Sequence, residues 1–367
     1  MNFSLSLIVP CYNEAQTLET CIQNLLDFGR GQNFSLEIIV VDDASTDGSL
    51  QILEKSASLH SEIKIVKHEK NRGKGAALRS GFIHAAGDYI GIQDADSEYN
   101  PTDYLTMLEP LLNGKADVVY GSRYLRPDTR RILYFWHTWM NKTLTTVSNM
   151  FTNLDITDME TCYKLFRREV IQKIAPQLKE DRFGFEPEIT AHIADGGYRV
   201  YECAISYNPR SYEEGKKIGW KDGIRALYCI FHYSAHTAPL PMQILIYLFI
   251  GGVSMLANMT FFVTFNYLSS SVNFSVIGAF ILAATINYIL CILILFRHKA
   301  RWRAPAELLL YGLTVTVMGA IDFGMTKALI ALSGGQLILP KFAAAVTGFA
   351  GNFLLRKWLV FPEKKRK

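Results

Sequence analysis

The fold class follows from residues 4–43, which read SLSLIVPCYNEAQTLETCIQNLLDFGRGQNFSLEIIVVDD. Two short apolar runs rich in β-branched residues, 4–12 and 36–43, predict strands. Between them, apolar residues recur at helical spacing, namely Leu18, Cys21, Ile22 and Leu25. A strand, a helix and a strand in this order indicate the start of a parallel sheet.

The same alternation continues along the chain. Further strands are predicted at 63–67, 89–93 and 116–120, with helices at 75–86 and after Pro101. This order predicts an α/β domain with a mostly parallel, Rossmann-like sheet of the nucleotide-binding kind. Right-handed crossovers then place the ligand crevice at the carboxyl ends of the strands. The charged residues at those ends are Asp42, Asp43, Asp94, Asp96 and Arg123.

The second half of the chain has the composition of a membrane domain. Residues 226–296 contain no Asp, Glu, Lys or Arg, although 20% of the whole chain is charged. A soluble domain does not leave so long a stretch without charge. Four apolar segments each supply the roughly 20 residues that a membrane-spanning helix needs. They lie at 240–265, 274–296, 305–330 and 339–361.

The basic residues predict how these segments cross the membrane. Lys and Arg are concentrated in the connector 297–303 and in the tail 364–367. The other two connectors, 266–273 and 333–338, carry no charge. By the positive-inside rule, both termini lie in the cytoplasm. The sequence therefore predicts an integral membrane protein with a cytoplasmic domain at 1–235 and a four-helix transmembrane domain at 236–367.

Composition also argues against other classes of protein. The net charge of +4 is too small to indicate a nucleic-acid partner. The six cysteines lack the spacing of a disulfide framework or a zinc site. The first ten residues lack the basic start and cleavage site of a signal peptide, so the leading domain is expected to stay in the cytoplasm.

Two segments of the first domain are predicted to be helices that lie in the membrane interface. Near 217–235, apolar residues with a 3.6-residue period adjoin Lys217, Lys221 and Arg225. Near 130–151, two tryptophans lie among apolar residues, and Arg130, Arg131 and Lys142 are available to lipid phosphates. The alternative interpretation is a pair of ordinary surface helices packed on the sheet.

A metal site is predicted in the segment QDADS, residues 93–97. Asp94 and Asp96 directly follow an apolar strand, and alternate side chains of a strand point to the same side. Mg²⁺ or Mn²⁺ is commonly held by one or two carboxylates together with substrate phosphates. The pair therefore indicates a diphosphate ligand, whereas the same motif outside such a sheet is more often an exposed acidic turn.

Two more segments have the chemistry of a nucleotide site. Asp42 and Asp43 end the second strand, where a base or a ribose hydroxyl would lie. Residues 71–75, NRGKG, combine two glycines with Arg72 and Lys74 before a helix, which suits a phosphate group. A helix cap and a solvated turn are the corresponding structural alternatives.

Taken together, these motifs resemble those of a known family. They are PCYNE at 10–14, VDDASTDGS at 41–49, NRGKGAALRSG at 71–81, QDADSEYNP at 93–101 and YGSRY at 120–124. Their order is similar to that of the inverting family 2 glycosyltransferases with the GT-A fold, in particular the dolichyl- and undecaprenyl-phosphate mannose and glucose synthases. The apolar half resembles the GtrA-like four-helix membrane domain.

The resemblance implies roles for individual residues. Asp94 and Asp96 would hold Mg²⁺ or Mn²⁺, and Arg123 and Asp158 would complete the catalytic set. The implied donor-binding residues are Pro10, Tyr12, Glu14, Asp43, Arg72, Lys74 and Gln93. Phosphate groups of the acceptor would contact Arg123, Lys164, Arg210, Lys216 and Lys217.

The implied reaction is metal-dependent, inverting transfer of mannose or glucose to a polyprenyl phosphate at the cytoplasmic face of the membrane. The donor would be of the GDP-mannose or UDP-glucose type. A phosphate monoester is already mostly anionic at neutral pH, so no dedicated base is required. The protein's task is to place the acceptor anion and to stabilise the departing diphosphate.

Three other functions are compatible with parts of the sequence. A processive polysaccharide synthase would need a QxxRW-like segment, and residues 190–235 contain none. A transferase with a hydroxyl acceptor would need an unpaired carboxylate as base, for which Asp158 or Glu160 could serve. A lipid-sugar flippase or anchor with an inactive transferase domain would explain an acidic residue, Asp322, within an apolar segment.

Overall fold

A computed structural model describes residues 3–125, 131–209, 220–269, 272–296, 304–333 and 338–360. The chain divides into two units, Met1–Pro239 and Leu240–Lys367. The first unit contains a seven-stranded sheet. Its strands are β1 Ser4–Cys11, β2 Ser35–Asp42, β3 Ile63–Lys67, β4 Tyr89–Ile92, β5 Val118–Ser122, β6 Lys164–Arg167 and β7 Val200–Ala204.

Helices alternate with these strands along the chain. They are α1 Leu18–Gly29, α2 Ser49–Leu59, α3 Lys74–His84, α4 Asp103–Leu112, α5 Phe135–Thr152, α6 Arg168–Ile174, α7 Phe185–Gly196 and α8 Trp220–Ser234, with a short 3₁₀ turn at Ala175–Gln177. The strand and helix order predicted for 4–120 is confirmed, with shifts of one or two residues at element ends.

The strand order across the sheet is β3-β2-β1-β4-β6-β5-β7. All neighbouring pairs are parallel except those of β6, which runs antiparallel to both β4 and β5. The prediction of a mostly parallel α/β sheet is therefore confirmed. Because β1, β2, β4 and β5 run in the same direction, the residues that follow them meet at one edge of the sheet.

The centre of the sheet is packed on both faces. Every residue of Ile38–Val41 is fully buried, as are Leu7, Ile8 and Val9 of β1. Helix α3 approaches β1 so closely that a side chain at Gly81 would collide with the side chain of Ile8. This continuous apolar pattern is typical of strands that helices cover on both sides.

The second unit is helical in its described residues. Its helices are α9 Leu240–Ser269, α10 Val272–Leu290, α11 Ala304–Leu332 and α12 Ile338–Leu355, and α10 and α12 continue as π-helical turns at Cys291–Phe296 and Arg356–Val360. Within the described residues, one stretch, Leu240–Phe265, is long and apolar enough to cross a membrane. Shorter apolar stretches lie at Ile281–Leu295 and Leu309–Met318. The number of membrane spans stays a prediction.

Candidate functional site

The loops that follow β1 and β2 are joined by hydrogen bonds at the sheet edge. The backbone N–H of Asn13 donates to Ser45 Oγ, and that of Glu14 donates to Ser49 Oγ, each at 3.0 Å. Asp47 accepts the N–H of Ser49, the first residue of α2, at 3.1 Å. These bonds hold the PCYNE segment against the second motif, VDDASTDGS.

Asp43 anchors the NRGKG turn. Its buried carboxylate accepts the backbone N–H groups of Arg72 at 2.9 Å and Gly73 at 2.7 Å, and it lies 2.7 Å from His68 Nδ1. Gly73 has a φ of +97°, and a side chain there would collide with the backbone of Asp181. Only glycine allows this conformation and this close approach together. The turn is therefore held in place by a carboxylate that was predicted to contact the donor.

A cavity of about 400 Å³ opens at this edge of the sheet. The structure brings eight of the predicted site residues to its wall, namely Pro10, Tyr12, Glu14, Asp43, Lys74, Asp94, Asp96 and Arg123. They come from the end of β1, from the loops after β1, β2, β4 and β5, and from the start of α3. Residues far apart in the sequence therefore meet at the place where the sheet topology predicts a ligand.

Lys74 lies between two carboxylates inside the cavity. Its Nζ is 3.0 Å from Asp94 Oδ1 and 3.3 Å from Glu186 Oε1. Burial alone lowers the pKa of Lys74, but the charges of Asp94 and Glu186 outweigh burial and hold this pKa well above its ordinary value. Lys74 therefore carries a positive charge at the point where the sequence predicts a diphosphate.

Asp94 and Asp96 have the chemistry of a hard-cation site. Both line the cavity, and the Asp94 side chain is 20% exposed, so it is reachable by a ligand. Within the described residues no group of three or more His, Cys, Asp or Glu side chains is arranged to hold a metal. Two carboxylates fit an ion such as Mg²⁺ or Mn²⁺ that takes its other ligands from phosphate and water.

Arg123 is fixed by Asp158. Arg123 Nε and Nη2 donate to the two carboxylate oxygens of Asp158 at 2.7 and 2.8 Å, and the Arg123 backbone N–H donates at 3.0 Å. Asp158 is completely buried, and Arg123 is 8% exposed. The guanidinium also lies 5.2 Å from the ring centroid of Tyr207. Asp158 therefore orients Arg123, and because it is completely buried and accepts three hydrogen bonds from Arg123, it is not exposed to a hydroxyl acceptor.

Three predicted residues lie behind the cavity wall or point away from it. Lys164 is fully buried, and its ammonium donates to the carbonyls of Met159 and Thr161. Gln93 is buried and accepts the hydroxyl of Tyr163 at 2.5 Å. Arg72 contributes its backbone N–H to Asp43 while its side chain is exposed. Lys164 and Gln93 thus support the loops of the site from behind.

Some predictions concern residues outside the described part of the chain. Arg210, Lys216 and Lys217 lie there, as does Arg130. The side chain of Asp322 in α11 is likewise not described.

The structure also brings Glu98, Glu160 and Glu186 to the cavity wall. Glu186, in the first turn of α7, was not predicted, and Glu160 was considered only as a possible base. Burial, together with the charge of Glu186, raises the pKa of Glu160 to about 8. The segment FGFEPE at 183–188, with two acidic residues among apolar ones at a helix start, is the only sequence signal for Glu186.

Comparison with family models defines the class of protein. The description "Glycosyl transferase family 2" matches residues 6–175, and "GtrA/DPMS, transmembrane domain" matches residues 246–361. The chain is 30% identical over 227 residues to a dolichyl-phosphate beta-glucosyltransferase of Dictyostelium discoideum, and the match covers 56% of the chain and 67% of that protein. The chain belongs to glycosyltransferase family 2 and carries a GtrA/DPMS transmembrane domain.

Two other relatives have the same description. The enzyme of Saccharomyces cerevisiae is 30% identical over 230 residues, and one of Trichomonas vaginalis is 27% identical over 217 residues. Each match covers 56% of the chain, with 66% of the yeast protein and 65% of the Trichomonas protein. The chain thus spans about two thirds of the length of these relatives.

Solved structures share the fold of the first unit. Glucosyl-3-phosphoglycerate synthase of Mycobacterium tuberculosis, solved with Mn²⁺ and uridine diphosphate, matches 65% of this chain and 81% of its own, with a TM-score of 0.50 and 17% identity. Mannosyl-3-phosphoglycerate synthase of Rubrobacter xylanophilus matches 62% and 71%, also at 0.50 and 17%. These similarities confirm the predicted GT-A fold.

Proposed function

We propose that the chain transfers a hexose from a nucleotide-diphospho-sugar to a polyprenyl phosphate at the cytoplasmic face of a membrane. The observation that carries this proposal is the cavity, which is lined by Asp94, Asp96 and Lys74 and by the guanidinium of Arg123 that Asp158 orients. The names of the relatives favour glucose over mannose and a dolichyl-type lipid as acceptor.

The residues support a single displacement. An oxygen of the acceptor phosphate forms a bond to the anomeric carbon as the bond from that carbon to the nucleoside diphosphate breaks, with inversion. A metal ion bound by Asp94 and Asp96 would neutralise charge on the leaving diphosphate. Lys74 supplies a fixed positive charge beside Asp94, and Arg123, held by Asp158, binds phosphate oxygens with its remaining N–H groups. The acceptor needs no deprotonation, because it is already an anion.

A hydroxyl acceptor is less compatible with the described side chains. The two oxygens of Asp158 already accept hydrogen bonds from Arg123. Burial, together with the charge of Glu186, raises the pKa of Glu160, the other carboxyl group considered as a base, to about 8, so it is mostly protonated at neutral pH. A general base must be ionised to accept a proton.

We further propose that α5 and α8 lie on the membrane surface. Trp136 is 74% exposed and Ile224 is 59% exposed, and the two helices contact each other through Phe151 and Phe231. Large aromatic and aliphatic side chains exposed on adjacent helices are typical of an interfacial surface. Both termini would then lie in the cytoplasm, as the basic connectors predict.

Three cations of the two predicted interfacial helices have partners within the first unit. Arg131 donates to the backbone carbonyl of Pro209 at 2.9 Å. Lys142 lies over the ring of Tyr124, and Arg225 forms an ion pair with Glu180 at 2.9 Å. We therefore expect apolar contacts to contribute more to membrane binding than charge does.

One experiment tests the proposed reaction. Membranes containing the full chain are incubated with polyprenyl phosphate and, in separate samples, with labelled UDP-glucose or GDP-mannose. Formation of an acid-labile labelled lipid from one of the two donors, and its loss with a chelator, is the expected result. If neither donor labels the lipid, the proposed function is wrong.

A further inference from the structure

Glu186 has a buried carboxyl oxygen that the described residues do not use. The residue is 4% exposed and lines the cavity. One oxygen, Oε1, contacts Lys74, whereas Oε2 has no hydrogen-bond partner among the described side chains and backbone groups. A buried polar atom without a partner is costly, so such atoms at a cavity wall mark the position of a ligand's hydrogen-bonding group.

Glu160 lies on the same wall and has the same property. Its Oε1 is buried without a partner among the described residues. The two carboxyl groups are near enough for the charge of Glu186 to raise the pKa of Glu160. Two neighbouring acidic groups repel a phosphate, but their oxygens accept hydrogen bonds from hydroxyl groups. The ligand group at this wall is therefore neutral and carries hydroxyls.

Glu186 lies close to where the proposed reaction would place the donor sugar. A single ammonium group, that of Lys74, separates Glu186 from Asp94. In the proposed reaction Asp94 lies beside the diphosphate, and the hexose is bonded directly to that diphosphate. The hexose ring must therefore occupy the part of the cavity next to the diphosphate, which is where the unused oxygens lie.

We infer that Glu186, with Glu160 beside it, accepts hydrogen bonds from hydroxyl groups of the donor hexose and selects the sugar. This inference rests on the proposed function and adds the residues that recognise the sugar. A site built to hydrogen-bond a hydroxyl discriminates strongly against an analogue that lacks it, because the polar group of the protein is then left unpaired.

In the test, each variant is assayed with donors whose sugar lacks one hydroxyl group. The full chain in detergent is assayed with UDP-glucose and its 3-, 4- and 6-deoxy analogues, or with the corresponding GDP-mannose analogues if that is the donor used. For the wild type, we expect kcat/KM to fall about 10- to 100-fold when the recognised hydroxyl is missing. In Glu186→Ala, the fall in kcat/KM should disappear for the analogue that lacks the recognised hydroxyl and persist for any other analogue that shows one in the wild type. Glu186→Gln, which keeps the side-chain volume, should reduce the same penalty.

Glu188→Gln is the matched control. Glu188 is also buried on α7, but its oxygens accept the backbone N–H groups of Lys179 and Glu180 at 2.7 and 2.8 Å. This variant should keep the wild-type pattern of penalties. Glu186→Gln should still bind UDP alone, because the inferred contact is to the sugar.

Three results would overturn the inference. The first is a wild type whose kcat/KM is the same for all three deoxy sugars as for the natural sugar. The second is a fall in kcat/KM on loss of a hydroxyl that is as large in both Glu186 variants and in Glu160→Gln as in the wild type. The third is a loss of UDP binding in folded Glu186→Gln, which would indicate a structural role. Failure of the wild type to transfer any hexose would instead contradict the proposed function.

Discussion

Asp158 binds Arg123 through both carboxylate oxygens and also accepts the Arg123 backbone N–H, so one buried acidic residue fixes a cation at the cavity wall. Removing one partner of a buried ion pair leaves the other charge uncompensated, which costs about 3–5 kcal/mol. We expect Asp158→Ala to lower the unfolding temperature and to abolish most hexose transfer. Thermal unfolding and initial rates check both effects.

Asp155→Asn is the control for this change, because Asp155 is exposed on the same loop. It should unfold and turn over like the wild type. Arg123→Lys should fold while losing much of its rate, since an ammonium replaces a bidentate guanidinium. Normal kinetics in Asp158→Ala would show that Arg123 needs no orientation.

Asp94 and Asp96 give the second prediction. Asp94→Asn and Asp96→Asn should each lower kcat/KM at least 100-fold without unfolding the protein, because the loss is of charge stabilisation on the leaving diphosphate. Asp27 is a surface aspartate that forms an ion pair with Arg30, so Asp27→Asn should leave kcat/KM unchanged. Metal-dependent quenching of protein fluorescence would report binding separately. Full activity of both variants in the presence of a chelator would contradict the metal role.

The sheet and the motif positions could be predicted because each depends on local pattern. Apolar runs and helical spacing determined the strand and helix order, and the topology rule then placed Asp43, Asp94 and Arg123 at one edge. Pairing between side chains could not be predicted in this way. Whether Asp158 is free or bound to Arg123 depends on how a loop after α5 folds back on β5, which no periodicity encodes.

Lys164 and Glu186 are two further side chains whose positions could not be predicted from the sequence. The family resemblance implies that Lys164 contacts acceptor phosphates, yet Lys164 is the first residue of a buried strand, and its ammonium donates to carbonyls of the preceding turn. Glu186 belongs to no predicted motif, but the start of α7 packs beside Lys74. Whether a side chain lines the cavity depends on tertiary packing, which cannot be read from a single sequence.

The pH dependence of stability gives the third prediction. Burial, with the charge of Glu186, raises the pKa of Glu160 from 4.5 to about 8. The folded state therefore holds a proton that the unfolded state releases between these values, so this group's contribution to stability is complete below about pH 4.5 and is lost as the pH rises through 8.

Glu160→Gln removes that titration. We expect its unfolding temperature, measured relative to the wild type, to increase as the pH rises from 5 to about 8 and to change little above that. The comparison cancels other titrating groups that the two proteins share. A difference between the two proteins that does not change with pH would mean that Glu160 is already ionised in the folded state.

The last prediction concerns how the first unit meets the membrane. A fragment comprising residues 1–239 keeps the sheet, the cavity and both α5 and α8, and it loses only the second unit. Trp136 and Trp139 are 74% and 50% exposed on α5. Burying a large apolar side chain in lipid contributes about 1.5–3 kcal/mol. Trp136→Ala with Trp139→Ala should therefore reduce partitioning of the fragment onto vesicles about 100-fold or more.

Salt distinguishes the two contributions to this binding. Each basic side chain near an anionic surface contributes about 1 kcal/mol, and salt screens that contribution. Because Arg131, Lys142 and Arg225 have partners in the first unit, we expect salt to weaken vesicle binding less than the two tryptophan substitutions do. Complete release by salt would show that charge dominates.

The fragment should also glycosylate a short-chain polyprenyl phosphate in detergent, whereas donor binding without transfer would show that the acceptor site requires the second unit.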